Sequence, residues 1–285
     1  MTADLAQLLA TGPVLAAGVY DCLSAAVMQE AGFPALALSG AGVAMAAAGV
    51  PDLGLLSFGE LLHTTAALTR RARVPVIVDA DTGFGNPLNV TRTCEDLARA
   101  GADAIVLEDQ TFPKRCGHLT GKQVTEAGEF IAKLRAARRA LDGTATLLIA
   151  RIDALAVHGV QDAIVRATRA HDAGADVTFV EAPTSRQEVE EIAATVPGLK
   201  MYNLATGGRS PSLSAADLDE LGFRLILVPG LALMPAIAAM RDAAAEVLAT
   251  GSDAPLLRYG LSPRDMFEVV GLSRWLRLES DFAVD

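Results

Sequence analysis

Acidic side chains end two consecutive apolar segments of the sequence. Asp79 and Asp81 come at the end of the segment 76–80 and directly after it, and Glu108 ends the segment 104–108. Carboxylate oxygens suit Mg²⁺ and Mn²⁺, and Mg²⁺ typically takes one or two of them and keeps several waters. No His pair has the His-Glu-x-x-His spacing of a zinc site. The three acids therefore predict a site for Mg²⁺, with Mn²⁺ as the other candidate metal. The alternative is that they cap helices or pair with Arg151.

A cysteine lies in a basic segment that follows the fourth apolar run. Lys114, Arg115, Cys116, Gly117 and His118 are consecutive within 109–124, a stretch longer than the two to six residues usual for such a loop. Basic neighbours lower the pKa of a thiol, so we predict that Cys116 does acid–base chemistry. The glycines of the loop would let it close over a substrate. The alternative is a solvated basic loop with an incidental cysteine.

Composition limits the classes of protein to which the chain can belong. Its 285 residues carry 24 Lys and Arg against 34 Asp and Glu, a formal net charge of −10, and 51% of them are hydrophobic. That fraction supplies a large core and argues against a disordered chain. Nucleic acid is not expected as a partner, because phosphate binding needs clustered Lys and Arg. Three cysteines without a Cys-x-x-Cys pair fit the reducing cytoplasm.

One uncharged stretch, residues 31–51, is long enough to span a bilayer. It contains four glycines and two prolines, so a buried strand followed by a Gly-rich loop is the better interpretation. The first 13 residues contain Asp4 and no basic residue, unlike a secretory signal. We therefore expect a soluble protein with no membrane partner.

Eight apolar runs alternate with helix-like segments along the chain. The runs are 14–20, 36–40, 76–80, 104–108, 147–151, 177–181, 200–203 and 224–228. Capping residues at Ser57, Asn86 and Ser185 mark the starts of helices between them. This alternation predicts an α/β protein with a (β/α)₈ TIM-type barrel over residues 1–250. A doubly wound open sheet is the alternative, but its Gly-rich turn is missing after the first run.

Residues 251–285 form a predicted C-terminal helical extension. From 255 onward this segment is amphipathic, with large apolar residues among charges. It would pack on its own barrel or on a neighbouring subunit.

A set of short motifs makes the sequence similar to the isocitrate lyase/phosphoenolpyruvate mutase superfamily over roughly residues 12–250. The similarity is carried by Pro-Asp-Leu-Gly (51–54), Asp-Ala-Asp-Thr-Gly-Phe-Gly (79–85), Glu-Asp-Gln (108–110), Lys-Arg-Cys-Gly-His (114–118), Ala-Arg-Ile-Asp-Ala (150–154) and the Asn203 region. The segment 114–118 resembles the signature of the carbon–carbon lyases, particularly methylisocitrate lyase. The segment Gly-Val-Tyr-Asp (18–21) resembles the dimethylmalate lyase and oxaloacetate decarboxylase branches. The resemblance implies a Mg²⁺-dependent barrel, a homo-oligomer (dimer or tetramer) and C-terminal helices that are exchanged between subunits.

The resemblance also implies roles for individual residues. Asp81 and Glu108 would hold the metal, with Asp79 contributing through water. The carboxylate substrate would be bound by Ser39, Gly40, Ala41, Arg151 and Asn203. Cys116 would give a proton to the departing fragment, supported by Lys114, Arg115 and His118. Asp52 would belong to a lid.

The implied reaction cleaves a branched 2-hydroxy di- or tricarboxylate into an α-keto acid, such as pyruvate, and a second carboxylate. Three departures from the lyase pattern, Ala37, Ile152 and Thr206, leave the substrate open. The exchange of Tyr for Ala at position 37 would admit a larger or more apolar substituent. The alternatives are oxaloacetate decarboxylase, another activity on α-keto acids, and a non-catalytic carboxylate-binding protein.

Overall fold

The apolar runs form eight parallel strands that close into a barrel in chain order. The structure is a computed structural model that describes residues 4–282. The strands are β1 (Val14–Val19), β2 (Ala35–Leu38), β3 (Val76–Asp79), β4 (Ala104–Glu108), β5 (Leu147–Ile152), β6 (Val177–Val180), β7 (Leu199–Asn203) and β8 (Leu225–Val228). Pairing of Val14 with Leu225 joins β1 to β8 and closes the ring. The predicted (β/α)₈ fold is confirmed.

Helices connect the strands and continue after β8. They are α1 (Leu5–Thr11), α2 (Cys22–Glu30), α3 (Gly40–Val43), α4 (Phe58–Thr69), α5 (Pro87–Arg99), α6 (Ala127–Ala140), α7 (Leu155–His158), α8 (Val160–Asp172), α9 (Arg186–Thr195), α10 (Ala215–Glu220), α11 (Leu233–Thr250), α12 (Pro263–Glu268) and α13 (Leu272–Asp281). Ser57, Asn86 and Ser185 cap α4, α5 and α9 as predicted, each accepting a backbone N–H of the first turn.

Two apolar layers surround the strands and leave one polar end. Side chains such as Ile77, Val106 and Phe179 fill the inside of the barrel, and Leu5 and Leu9 of α1 pack against that cluster. A second cluster lies between the strands and the outer helices. The helix α1 therefore covers the amino-terminal end of the barrel. The polar functional groups lie at the carboxyl-terminal end, as is usual for this fold.

The uncharged stretch 31–51 differs from its predicted form. Strand β2 ends at Leu38, and the Gly-rich part that follows is the short helix α3 and a π-helical turn at Ala44–Ala48. Ser39 is the N-cap of α3, and its Oγ accepts the N–H of Gly42 at 3.1 Å. The prediction of a loop was wrong here because the Ser39 cap and four alanines outweigh the glycines. None of the helices within residues 4–282 is both long enough and apolar enough to cross a membrane.

The C-terminal extension is helical, as predicted, although its last three residues lie outside the described part. No residue of α11, α12 or α13 is buried. Apolar side chains remain exposed on α11, including Met240 and Leu248, and along the extension, including Leu257, Phe267 and Trp275. Within one described chain, the extension does not form the buried packing that its amphipathic pattern would allow.

Candidate active site

The carboxyl-terminal ends of the strands surround a cavity of about 140 Å³. Its mouth is lined by polar side chains that include Ser39, Asp52, Asp79, Cys116, Arg151 and Asn203. Its deeper wall is apolar, formed by Ala37, Ile77, Val106, Phe179, Met201 and Leu227. On several strands an apolar residue stands two positions before a polar one, as Ile77 does before Asp79 and Met201 before Asn203. Residues two apart on a strand point to the same side, so each pair points into the barrel, with the apolar member one layer deeper.

Three predicted metal ligands lie together beside this cavity. A Cβ added to Gly40 would be 3.2 Å from Asp81 Oδ1 and 3.5 Å from Asp79 Oδ2, so both carboxylates face this glycine. The N–H of Glu108 donates to the carbonyl oxygen of Asp81 at 2.9 Å, which ties the two segments together. Asp81 and Glu108 are 6% and 1% exposed. The structure therefore gathers the acids as the sequence predicts.

Burial makes these carboxylates costly unless a cation accompanies them. Burial and the neighbouring Asp79 raise the pKa of Asp81 to about 7, although Lys114 opposes the shift. Burial likewise raises the pKa of Glu108 well above its usual value, although Arg151 opposes it. Neither carboxylate oxygen of Glu108 has a hydrogen-bond partner. A buried carboxylate with unsatisfied oxygens fits a hard divalent cation. Among residues 4–282, no group of three or more His, Cys, Asp or Glu side chains is placed to hold a metal ion, so a cation here would rely on one or two carboxylates and on water.

Lys114 belongs to this acidic cluster rather than to the surroundings of the thiol. Its ammonium lies 2.6 Å from Asp81 Oδ1 and also contacts the carboxylate of Asp52, and the residue is 3% exposed. Burial alone would lower the pKa of Lys114, but Asp81 and Glu108 raise it. Lys114 is therefore a fixed positive charge beside the acids.

Cys116 is half-buried at the mouth of the cavity, and the prediction that its basic neighbours lower the pKa of the thiol was wrong. Burial raises the pKa of the Cys116 thiol above its usual value. The basic neighbours do not reverse this, because Lys114 is held by Asp52 and Asp81, and exposed Arg115 lies beside Gly121, outside the cavity lining. The thiol is therefore the protonated form at neutral pH, which suits a proton donor rather than a nucleophile.

Arg151 stands at the centre of a network of carboxylates. Its Nε donates to Asp153 Oδ2 at 2.9 Å and lies 3.4 Å from Glu108 Oε2, and its Nη2 lies 3.4 Å from Glu181 Oε2. Burial raises the pKa of Asp153, but Arg151 and Lys122 outweigh it and lower that pKa overall. Nη1 takes part in none of these contacts, so the guanidinium retains donors for a substrate carboxylate.

Glu181 joins Arg151 to two further predicted residues. Its carboxylate lies 3.3 Å from His118 Nε2 and accepts a hydrogen bond from Asn203 Nδ2 at 3.3 Å. His118 Nδ1 accepts the N–H of Arg209 at 3.2 Å, so the neutral ring carries its proton on Nε2, facing Glu181. Burial raises the pKa of Glu181, but Arg151 and His118 outweigh it, so the carboxylate stays ionised.

The three departures from the lyase pattern occupy different places. Ala37 lines the deeper wall of the cavity. Ile152 is fully buried in the outer apolar layer, and Thr206 is exposed in the loop after β7. Only the departure at Ala37 alters the lining of the cavity.

Sequence reasoning gave no role to several residues that hold the site together. Glu181, Gln110, Lys122 and Asp153 are all buried within this network. Asp153 and Glu181 directly follow the last residues of β5 and β6, which was the available signal. Lys122 carried no such signal, because its partner Asp153 is distant in sequence.

The family follows from a comparison with known proteins. The family model described as phosphoenolpyruvate phosphomutase matches residues 5–248. The chain belongs to this family. The predicted isocitrate lyase/phosphoenolpyruvate mutase superfamily is thereby confirmed, and its lyase members support the predicted class, a carbon–carbon lyase.

Three proteins that are similar to this chain in sequence carry three different names. The petal death protein of Dianthus caryophyllus is 40% identical, over 95% of this chain and 86% of that protein. The 2,3-dimethylmalate lyase of Eubacterium barkeri is 34% identical, over 99% of this chain and 98% of that protein. The 2-methylisocitrate lyase of Aeropyrum pernix is 38% identical, over 90% and 83%.

Solved structures of similar proteins share the whole fold. A 2,3-dimethylmalate lyase superposes with a TM-score of 0.94 at 37% identity, covering 100% of this chain and 99% of that one. An oxaloacetate acetylhydrolase bound to the inhibitor 3,3-difluorooxalacetate has a TM-score of 0.94 at 33% identity, covering 98% and 95%. A phosphonopyruvate hydrolase with oxalate and Mg²⁺ has a TM-score of 0.87 at 28% identity, covering 99% of each chain.

Proposed function

We propose that the protein is a Mg²⁺-dependent lyase that cleaves a branched 2-hydroxy di- or tricarboxylate to an α-keto acid, such as pyruvate, and a second carboxylate. The candidate substrates are 2-methylisocitrate and 2,3-dimethylmalate, which two of the relatives are named for. One observation carries the proposal: the protonated thiol of Cys116 and the guanidinium of Arg151 line the same cavity, directly beside three acids.

Substrate binding would use the polar mouth of the cavity. Arg151, Ser39 and the backbone at 40–42 would bind the carboxylate next to the reacting carbon. Asn203, whose Oδ1 has no hydrogen-bond partner, would accept from a substrate hydroxyl. Asp52 lines the cavity and contacts Lys114, so it belongs to the wall that closes over the bound molecule.

Cleavage would begin when the 2-hydroxyl proton passes to a carboxylate at the mouth. The C–O bond becomes a carbonyl, the adjacent C–C bond breaks, and its electron pair remains on the carbon of the departing carboxylate. The Cys116 thiol would then donate its proton to that carbon. His118, which lines the cavity, would stabilise the negative charge that develops during this step, and Lys114 would contribute its charge from within the acidic cluster.

Asp81 and Glu108 would hold Mg²⁺, with Asp79 contributing through water. Bound there, the ion would supply Lewis-acid stabilisation of the oxygen that becomes the keto group. The support for this assignment is the burial of Asp81 and Glu108 and the unsatisfied oxygens of Glu108.

The test measures release of pyruvate from 2-methylisocitrate and 2,3-dimethylmalate with lactate dehydrogenase as the coupling enzyme. We expect turnover of at least one of them, and a fall in kcat of roughly 10²- to 10⁴-fold in Cys116→Ser. Turnover of neither compound, or a variant within threefold of wild type, would contradict the proposal.

Activity on oxaloacetate is the second candidate, favoured by the likeness to an oxaloacetate acetylhydrolase. Simple decarboxylation needs no thiol acid, so Cys116→Ser would retain it while losing lyase turnover. The same variant assayed with oxaloacetate therefore separates the two functions.

We also propose a homo-oligomer, dimer or tetramer, with exchanged C-terminal helices, and a cytoplasmic location. The unburied faces of α11 to α13 support the first. The free cysteines Cys22, Cys94 and Cys116 support the second.

A further inference from the structure

Two polar side chains hold the backbone on either side of Cys116. Before the thiol, Gln110 Nε2 donates to the carbonyl oxygen of Arg115 at 2.8 Å, and Gln110 Oε1 accepts the N–H of Arg115 at 3.0 Å. After the thiol, Lys122 Nζ donates to the carbonyl oxygen of Gly117 at 2.6 Å. The backbone is therefore fixed by a side chain at both residues adjoining Cys116.

Lys122 also connects this loop to the substrate-binding arginine. Its Nζ donates to Asp153 Oδ1 at 2.8 Å, while the other carboxylate oxygen of Asp153 accepts from Arg151 Nε at 2.9 Å. One carboxylate thus bridges the loop cation and the cavity cation. A change in the position of Lys122 would be transmitted directly to Arg151.

Gln110 and Lys122 are buried but do not line the cavity. The residues are 1% and 8% exposed, and neither is among the cavity wall residues. Burying an ammonium group is unfavourable until its hydrogen-bond partners offset the loss of water. The stability of the fold does not require a lysine at this position, since an apolar side chain would fill the same volume without losing the hydration of a charged group. Its two bonds end at the loop backbone and at the carboxylate that holds Arg151.

We propose that Gln110 and Lys122 are positioning residues that hold the Cys116 thiol over the cavity, and that Lys122 keeps the thiol in register with Arg151 through Asp153. The proposal rests on the proposed function, in which Cys116 donates a proton. It adds that the distance between thiol and substrate is set by two side chains that never touch the substrate.

The geometry has a consequence that is separate from turnover. Without the Lys122 bond, the carbonyl of Gly117 can turn to water and the loop can lift from the barrel. Cys116 then loses part of its burial, the largest cause of its raised pKa, and moves away from Asp52 and Glu181, which raise that pKa, as well as from Arg151 and the His118 backbone, which lower it. Because burial is the largest of these causes, the thiol becomes more accessible and ionises at lower pH.

The test compares Lys122→Met with Lys200→Met as a matched control. Lys200 is also partly buried and donates to two backbone carbonyls, those of Val196 and Gly198, but it lies at the opposite end of the barrel. The rate of Cys116 alkylation by iodoacetamide is followed by peptide mass spectrometry between about pH 7 and pH 10. The kinetic constants kcat and KM are measured on the same preparations.

In Lys122→Met we expect roughly tenfold faster alkylation of Cys116, a pH midpoint shifted downward, and a fall in kcat of about 10²-fold, the size typical of a misplacement near 1 Å. Lys200→Met should match wild type in all of these. Gln110→Leu is the second variant, because it removes the bonds to Arg115 without leaving a buried charge unpaired. It should change alkylation and kcat in the same direction, even where Lys122→Met fails to fold.

Unchanged alkylation rates and pH midpoints in the folded variants would overturn the proposal, including when kcat falls. Faster alkylation in a chain whose Cys116→Ser variant keeps full lyase turnover would uphold the positioning of the thiol but refute the proposed function. The two failures are therefore distinguishable.

Discussion

Gly117 should not tolerate even one additional carbon atom. A Cβ at this position would lie 2.4 Å from Arg151 Nη2 and 2.6 Å from Glu181 Cγ. Arg151 cannot yield, because Asp153, Glu108 and Glu181 hold its guanidinium. Gly117→Ala therefore forces the loop backbone away from the floor of the site.

The size of the effect follows from these distances. Ordinary contact begins near 3.4 Å, so a Cβ now 2.4 Å from Nη2 must move by about 1 Å. A displacement of that size near the reacting atoms costs about 10²-fold in rate, equivalent to about 2.7 kcal/mol. If the loop stayed in place, overpacking would instead cost about 1–3 kcal/mol of stability, which a lower melting temperature would reveal.

The assay is steady-state pyruvate release by wild type, Gly117→Ala and Gly128→Ala. Gly128 lies in the first turn of α6 with nothing within 4 Å of an added Cβ, so that variant should keep wild-type kinetics and gain up to about 1 kcal/mol of stability. We expect kcat of Gly117→Ala to fall by about 10²-fold with an unchanged melting temperature. A kcat within twofold of wild type would refute the steric reasoning.

Three further outcomes are expected. EDTA should abolish turnover, and Mg²⁺ should restore it. Mg²⁺ should also raise the melting temperature of wild type more than that of Asp81→Asn, because asparagine tolerates the φ of 49° at this residue but lacks the charge. Equal shifts in melting temperature would argue against a metal at Asp81. Burial raises the pKa of Cys94 to about 12, so its protonated thiol contributes stability that is complete below the unfolded pKa and is lost as pH rises toward 12. In urea unfolding above about pH 9, the free energy of unfolding of wild type should therefore fall by about 1.4 kcal/mol per pH unit more than that of Cys94→Ala. Parallel curves of unfolding free energy against pH would contradict this. Because α11 buries no residue within one chain, the melting temperature should rise with protein concentration, and a melting temperature and a sedimentation coefficient that are both independent of concentration would exclude the proposed oligomer.

The grouping of the acids was predictable because parallel strands place their carboxyl ends at one rim. Asp79 and Glu108 end neighbouring strands, so their proximity follows from strand order alone. The barrel itself was predictable because eight apolar runs alternate with helical segments, three of which begin at the recognisable caps Ser57, Asn86 and Ser185.

The ionisation of Cys116 was not predictable from its neighbours in sequence. Lys114 lies two residues before the thiol along the chain, but its ammonium is held by Asp52 and Asp81, which come from other loops. Similarly, Lys122 meets Asp153 across 31 residues. Ion pairs that form only when the barrel closes leave no local pattern in the sequence. These pairs nevertheless determine the charge state of the groups in the site.

The apolar wall below Arg151 limits which part of a substrate can carry charge. Phe179, Met201 and Leu227 lie on it, and they offer no donor to an anion. A branch that points down the barrel axis must therefore be hydrocarbon. For a tricarboxylate such as 2-methylisocitrate, the third acid group would have to stay near the entrance, whereas both methyl groups of 2,3-dimethylmalate could enter the depth of the barrel.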